Sequence, residues 1–113
     1  MTKVFLTTIA ALLIGLSAQA QVGGYEIRIE GSNAHQYSVE AYVLKSGGSA
    51  TYMHITPDNN GGAKIDFQRY GTWSKTGSTI TIKIKGRSGY ITEKFTYSRG
   101  SYRSGKRYLK KVS

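Results

Sequence analysis

"GTWSKTGSTITIKIKG", Gly71 to Gly86, carries the pattern that decides the fold. Ile80, Ile82 and Ile84 fall on every second position, with Thr79, Thr81, Lys83 and Lys85 between and around them. Successive side chains of a strand point to opposite faces, so this alternation predicts a strand that is apolar on one side and polar on the other. Upstream, "SKTG" breaks the pattern between that strand and the segment carrying Trp73. A glycine-containing break of this length predicts a hairpin.

The same grammar runs in both directions. "YEIRIE" sets Tyr25, Ile27 and Ile29 against Glu26, Arg28 and Glu30. "QYSVEAYVLK" reads with Tyr37, Val39, Ala41 and Val43 inward, and "SATYMHIT" with Thr51, Met53 and Ile55 alternating with Tyr52 and His54. "AKIDFQRY" turns Ile65 and Phe67 inward, "YITEKFTYS" has Ile91, Phe95 and Tyr97 alternating, and "KRYLKKV" supplies a last strand. Clusters of Gly, Asn, Asp and Ser separate these runs, "PDNNGG" being the densest. The expectation is an all-β fold of seven to eight short strands, either a single small antiparallel meander barrel or a compact sandwich. Closure is favoured because unpaired edges are costly in a domain without disulfides. The polar tail from Arg99 onward is expected to fray.

The first twenty residues read differently. Lys3 precedes the apolar run "VFLTTIAALLIGL", and "AQA" places small residues at Ala18 and Ala20. This is the form of a secretory signal peptide, and the run is short of the roughly 20 apolar residues that span a bilayer. The expectation is therefore a leader over 1–20 and one all-β domain over 21–113, exported to the periplasm or the medium. No cysteine follows the apolar run, so it offers no thiol for lipid attachment.

Charge divides the domain. From Gln21 to Gln68 three basic residues face five acids, whereas from Arg69 to Ser113 there are twelve basic residues and one acid, Glu93. A one-signed field of this kind attracts polyanions and weakens with salt. "KFTYSRGSYRSGKRYLKK" interleaves tyrosines with seven basic residues. Arginine forks pair with phosphate, sulfate or carboxylate, and tyrosine rings stack on flat partners. Arg99, Tyr102, Arg103, Lys106, Arg107 and Tyr108 are the expected contacts for an anionic partner: envelope polysaccharide, lipid headgroup or acidic protein. Specific nucleic acid binding is not expected. The alternative is a carrier whose barrel interior holds a small apolar ligand, and a cavity would discriminate the two.

The order "TPDNNGGAKIDFQRYGTWSKTGSTITIKI" followed by "FTYSRG" and "RYL" resembles small bacterial lipocalin-like envelope domains, including the copper-homeostasis lipoprotein barrels. The likeness covers roughly Ser49 to Leu109. It implies a lipocalin-like barrel and structural roles for Gly71 and Trp73. This chain lacks the anchor cysteine and any CxxC pair, so neither metal handling nor lipid anchoring is implied. Its Gly-x-Trp also lies mid-chain, whereas lipocalins proper carry it near the start.

Catalysis finds little footing. There is no thiol, the six acids stand singly, and no serine sits in a nucleophile-elbow context. His35 and His54 read as surface histidines, and Asp58-Asn59-Asn60-Gly61 as a turn lacking the distant glutamate of a calcium loop. No enzyme, metal or cofactor is expected. Trp73 has two readings, a plug packed over the core or an exposed stacking platform.

Overall fold

The computed structural model describes residues 21–31 and 38–113; the expected leader, and with it His35 and Tyr37, lies outside the described residues. Eight strands follow one another: β1 (Gly23–Ile29), β2 (Val39–Leu44), β3 (Ser49–Pro57), β4 (Ala63–Thr76), β5 (Thr79–Gly86), β6 (Gly89–Ser98), β7 (Ser101–Ser104) and β8 (Arg107–Lys111). Each pairs antiparallel with the next, and β8 returns to pair with β1, closing the barrel. The meander and its closure match the expectation, and the barrel form excludes the sandwich. The tail from Arg99 does not fray as expected. It forms β7 and β8, and the hydrogen bonds of β8 to β1 remove the last open edge.

The three isoleucines of β5 point into the barrel and are buried, as their alternation requires. Carrying that phase across the register gives the interior set: Tyr25 and Ile27, Tyr42 and Leu44, Ala50, Phe95 and Leu109. On β2 and β3 the phase is the reverse of the sequence reading. Tyr42, Leu44 and Tyr52 pack inside, whereas Val39, Ala41, Val43, Met53 and Ile55 form a second buried cluster on the other face. Both faces of these strands are apolar, so alternation alone does not choose between them.

A β-bulge changes the phase within β4. The β3–β4 register shifts so that His54 opposes Phe67 and Ile55 opposes Ile65, leaving Asp66 as the extra residue. Ile65 then joins the outer cluster, while Phe67 stays with Tyr52 on the barrel side. The two residues read as one inward pair lie on opposite faces. Asp66 meets Nδ1 of His54 at 3.2 Å, and the imidazole stacks on Phe67 with centroids 5.2 Å apart.

Two residues near the β4–β5 hairpin close one end. Trp73 is half-buried against the interior cluster, and its indole N–H donates to the Lys45 carbonyl across the β2–β3 turn at 2.8 Å. That contact supports the plug reading. Gly71 pairs with Ile84, and a Cβ built on it would fall on the carbonyl oxygen of Lys83. Backbone oxygen cannot swing aside as a flexible side chain can. Gly71→Ala should therefore cost about 3 kcal/mol, the upper end for overpacking a site. Equilibrium urea unfolding checks this, and an unchanged midpoint would show that β4 and β5 do not approach so closely.

Candidate functional site

The interior is apolar at its centre but charged toward one end. Arg107 of β8 points inward two residues before Leu109, and its guanidinium is held between two carboxylates. Its Nε donates to Glu93 Oε2 at 2.7 Å and its Nη2 to Glu93 Oε1 at 3.2 Å, while Nη1 reaches Glu40 Oε2 at 2.9 Å. Two tyrosines complete the set. Tyr52 donates to Glu40 Oε1 at 2.8 Å, and Tyr42 donates to Glu93 Oε1 at 3.0 Å. Every carboxylate oxygen of the pair thus accepts a hydrogen bond, as partly buried charge demands.

The ionisations follow from this arrangement. Burial pushes the Glu40 carboxyl up, but hydrogen bonds from Arg107 and Tyr52 and the charge of Arg107 outweigh it, and the group sits below its ordinary value. Burial opposes the charge on Arg107, yet the hydrogen bonds and charges of Glu93 and Glu40 raise its pKa further. Burial, then the neighbouring carboxylates, push the Tyr42 and Tyr52 hydroxyls well above the usual phenol range. These shifts hold Glu40 and Arg107 charged and the two tyrosine hydroxyls neutral. They form a scaffold rather than a proton relay.

Beside this cluster lies a pocket of about 230 Å³, lined by Phe67, Ile84 and Ile91 as well as the five polar residues and Arg69. Arg69 is half-buried, with its guanidinium 5.1 Å from the centroid of the Phe67 ring. It makes no ion pair with any described residue. The pocket therefore joins an apolar wall, a floor of two carboxylates around one guanidinium that keeps a net negative charge, and Arg69, a cation that makes no ion pair with a described residue.

The six expected anion contacts do not form one face. Arg107 is inside, bound as described. Tyr102 packs against the interior cluster and meets Tyr97 edge-on at 5.1 Å. Arg103 lies over the Tyr108 ring at 5.1 Å, donates to the Ser98 carbonyl at 3.0 Å and is 3.6 Å from Glu30. Arg99 occupies the tight β6–β7 turn with φ 53°, 3.9 Å from the same carboxylate. Lys106 is exposed in the β7–β8 turn. Arg103, Tyr108 and Lys106 remain outside, and Glu30 offsets part of their charge.

Glu40, Glu93, Tyr42, Tyr52 and Arg69 were not singled out by the sequence reading. One signal was available. Glu93 shares the phase of Ile91 and Phe95, and Arg107 shares that of Leu109. A charged residue in phase with buried apolar ones must enter the interior with a partner of opposite sign. Among the described residues no group of three or more histidine, cysteine or carboxylate side chains could hold a metal ion, and no helix is long and apolar enough to cross a membrane.

The lowered Glu40 pKa sets a pH dependence. Its contribution is complete above the unfolded carboxylate value, about 4.3, and is lost as pH falls from there through the lower folded value. Glu40→Gln should therefore flatten the decline in Tm on the acid side, as followed by thermal melts between pH 6 and pH 3, roughly the carboxylate range. Arg107→Met, which strands two carboxylates together, should cost about 2–3 kcal/mol at neutral pH, below the cost for a fully buried pair because the cluster is partly solvated. An unaltered acid limb in the first variant or an unaltered Tm in the second would contradict this picture.

Comparison with protein-family models, with curated proteins and with solved structures gives no match, so the fold rests on the barrel itself.

Proposed function

We propose that this chain is an exported, non-enzymatic binding barrel that holds a small amphipathic ligand in its charged end. The pocket beside the Glu40–Arg107–Glu93 cluster is the observation that carries this reading. The resemblance of the Gly71–Trp73 segment to lipocalin-like envelope domains supports it as well. A closed barrel of eight strands has room for interior side chains or for one small ligand. Here buried side chains such as Leu44, Ile80, Ile82 and Phe95 fill the apolar centre, and a pocket lined by described residues lies at the end where charge enters.

The lining defines the ligand class. Phe67, Ile84 and Ile91 suit one ring or a short branched chain, and Arg69 suits a carboxylate or another anionic head. A dry cavity of ~150 Å³ accepts benzene, whereas drug-sized ligands use pockets of ~300–1,000 Å³. A volume of about 230 Å³ therefore selects a single-ring acid over a long lipid. The purely apolar cargo expected of a carrier gives way to an amphipathic one. Arg107 and Tyr102 face inward, so the C-terminal segment has lost the two residues that would have centred an anion-binding face there.

The test uses 3-phenylpropionate and its neutral amide, 3-phenylpropanamide, followed through the methyl resonances of Ile84 and Ile91. Both ligands should shift these methyls and raise Tm. Arg69→Gln should weaken the acid about tenfold or more, the scale of one charge-assisted hydrogen bond, and leave the amide unaffected. Absence of methyl shifts with either ligand at millimolar concentration would overturn the proposal.

A further inference from the structure

The opposite side of the same sheet has its own organisation. On the outer face of β4, β5 and β6 the register sets Thr72, Lys83 and Thr92 in one row across the strands. Ser74, Thr81 and Lys94 form the next row. These six residues, with Trp73, line a shallow groove of about 560 Å³. Lys83 and Lys94 stand one strand and one row apart, ~8 Å between their Cα atoms from strand geometry. One row beyond Lys83, Lys85 opposes Tyr90, which leaves 67% of its surface exposed.

No carboxylate opposes these lysines. The only acid on the three strands besides Asp66 at the bulge is Glu93, which faces inward and is held by Arg107. Glu26 pairs with Arg28, Glu30 lies near Arg99 and Arg103, and the Asp58 carboxylate accepts from backbone amides of its own turn. Lys83, Lys85 and Lys94 make no ion pair with any described residue. The positive field over this wall is therefore unopposed, and its counterions are available for exchange.

We propose that this outer wall binds a strand of acidic polysaccharide, a second site distinct from the ligand pocket inside the barrel. Lys83 and Lys94 pair with charged groups on the sugars. The hydroxyls of Thr72, Ser74, Thr81 and Thr92 exchange hydrogen bonds with sugar hydroxyls, each acting as donor or acceptor. Tyr90 offers one flat, exposed face at the end of the groove. Four hydroxyls along the groove with exposed rings, Tyr90 and Tyr70, only at one end favour sugar over nucleic acid, whose unstacked bases call for rings in succession along the track. The signal in the charge asymmetry of the sequence thus belongs to the β4–β6 wall rather than to the C-terminal turns.

Fluorescence anisotropy with labelled dextran sulfate tests this, with neutral dextran and an oligothymidylate of matched charge as companions. Dextran sulfate should bind and weaken as salt rises, and neutral dextran should not bind. Lys83→Ala with Lys94→Ala should weaken binding about tenfold at low salt and reduce the log–log salt slope by about 1.5, as expected for two lost contacts. Thr81→Val with Thr92→Val should weaken it at every salt concentration and leave the slope unchanged. Both variants should retain the parent Tm and the parent affinity for 3-phenylpropionate, which separates failure of this site from failure of the barrel or its pocket. The proposal is overturned if the double lysine variant binds dextran sulfate as the parent does. It is also overturned if Arg99→Ala with Lys106→Ala abolishes binding instead. Equal affinity for the oligothymidylate, unaffected by the threonine changes, would overturn the choice of sugar.

Discussion

The guanidinium of Arg107, gripped from two sides by Glu40 and Glu93, is the contact on which the charged end of this barrel depends. The three groups come from β8, β2 and β6, and closure of the barrel through β1 is what brings β2 to the other two. Charge in the interior of so small a domain is costly unless every oxygen and N–H finds a partner. Tyr42 and Tyr52 supply the missing donors, and their rings in turn pack on Phe95, on Phe67 and on each other. The polar cluster is thus seated on the apolar core rather than inserted through it. One end of the barrel is closed by Trp73 under the β2–β3 turn, and the other keeps a pocket over a fixed charged floor.

This arrangement also sorts the charges of the chain in space. Two of its six acids are withdrawn into the barrel, and the others are engaged beside Arg28, Arg99 and Arg103, His54, or their own turn. The outer wall of β5 and β6 is left with lysines alone among charged side chains. On β5 and β6 the N-terminal to C-terminal asymmetry of the sequence becomes a difference between faces, with Glu93 inward and the lysines outward. Strand alternation performs the separation, because Glu93 and Lys94 are neighbours in the chain yet face opposite sides of one strand.

Where one face of a strand is plainly apolar, the sequence is legible. Ile80, Ile82 and Ile84 alternate with threonine and lysine, and the Gly-rich breaks mark hairpins, so strand number, order and antiparallel pairing could all be read. Legibility fails on β2 and β3, where Val39, Ala41 and Val43 compete with Tyr42 and Leu44 for the interior and both sets are buried. It fails again at Asp66, since a bulge leaves no mark in an alternating pattern except one residue too many. The site was the least legible part. Arg107 sits among exposed-looking basic residues, and its partners lie fourteen and sixty-seven residues away. Only the phase of Leu109 betrays its inward direction. The segment after Arg99 misleads for the same reason: polar side chains suggest a solvated tail, whereas the backbone of β7 and β8 is needed to close the barrel.

Replacing a buried ionic cluster by apolar residues of similar size is often neutral or stabilising, so the cluster need not be present for stability. The central claim is that it shapes the binding pocket. The most direct measurement is a titration of the triple variant Glu40→Leu, Glu93→Leu, Arg107→Met with 3-phenylpropionate, read from the Ile84 and Ile91 methyl resonances. The variant should remain folded with a Tm at or above that of the parent, and its methyls should no longer respond to the ligand because the floor has collapsed into an apolar core. A folded triple variant that binds 3-phenylpropionate as tightly as the parent would contradict the claim.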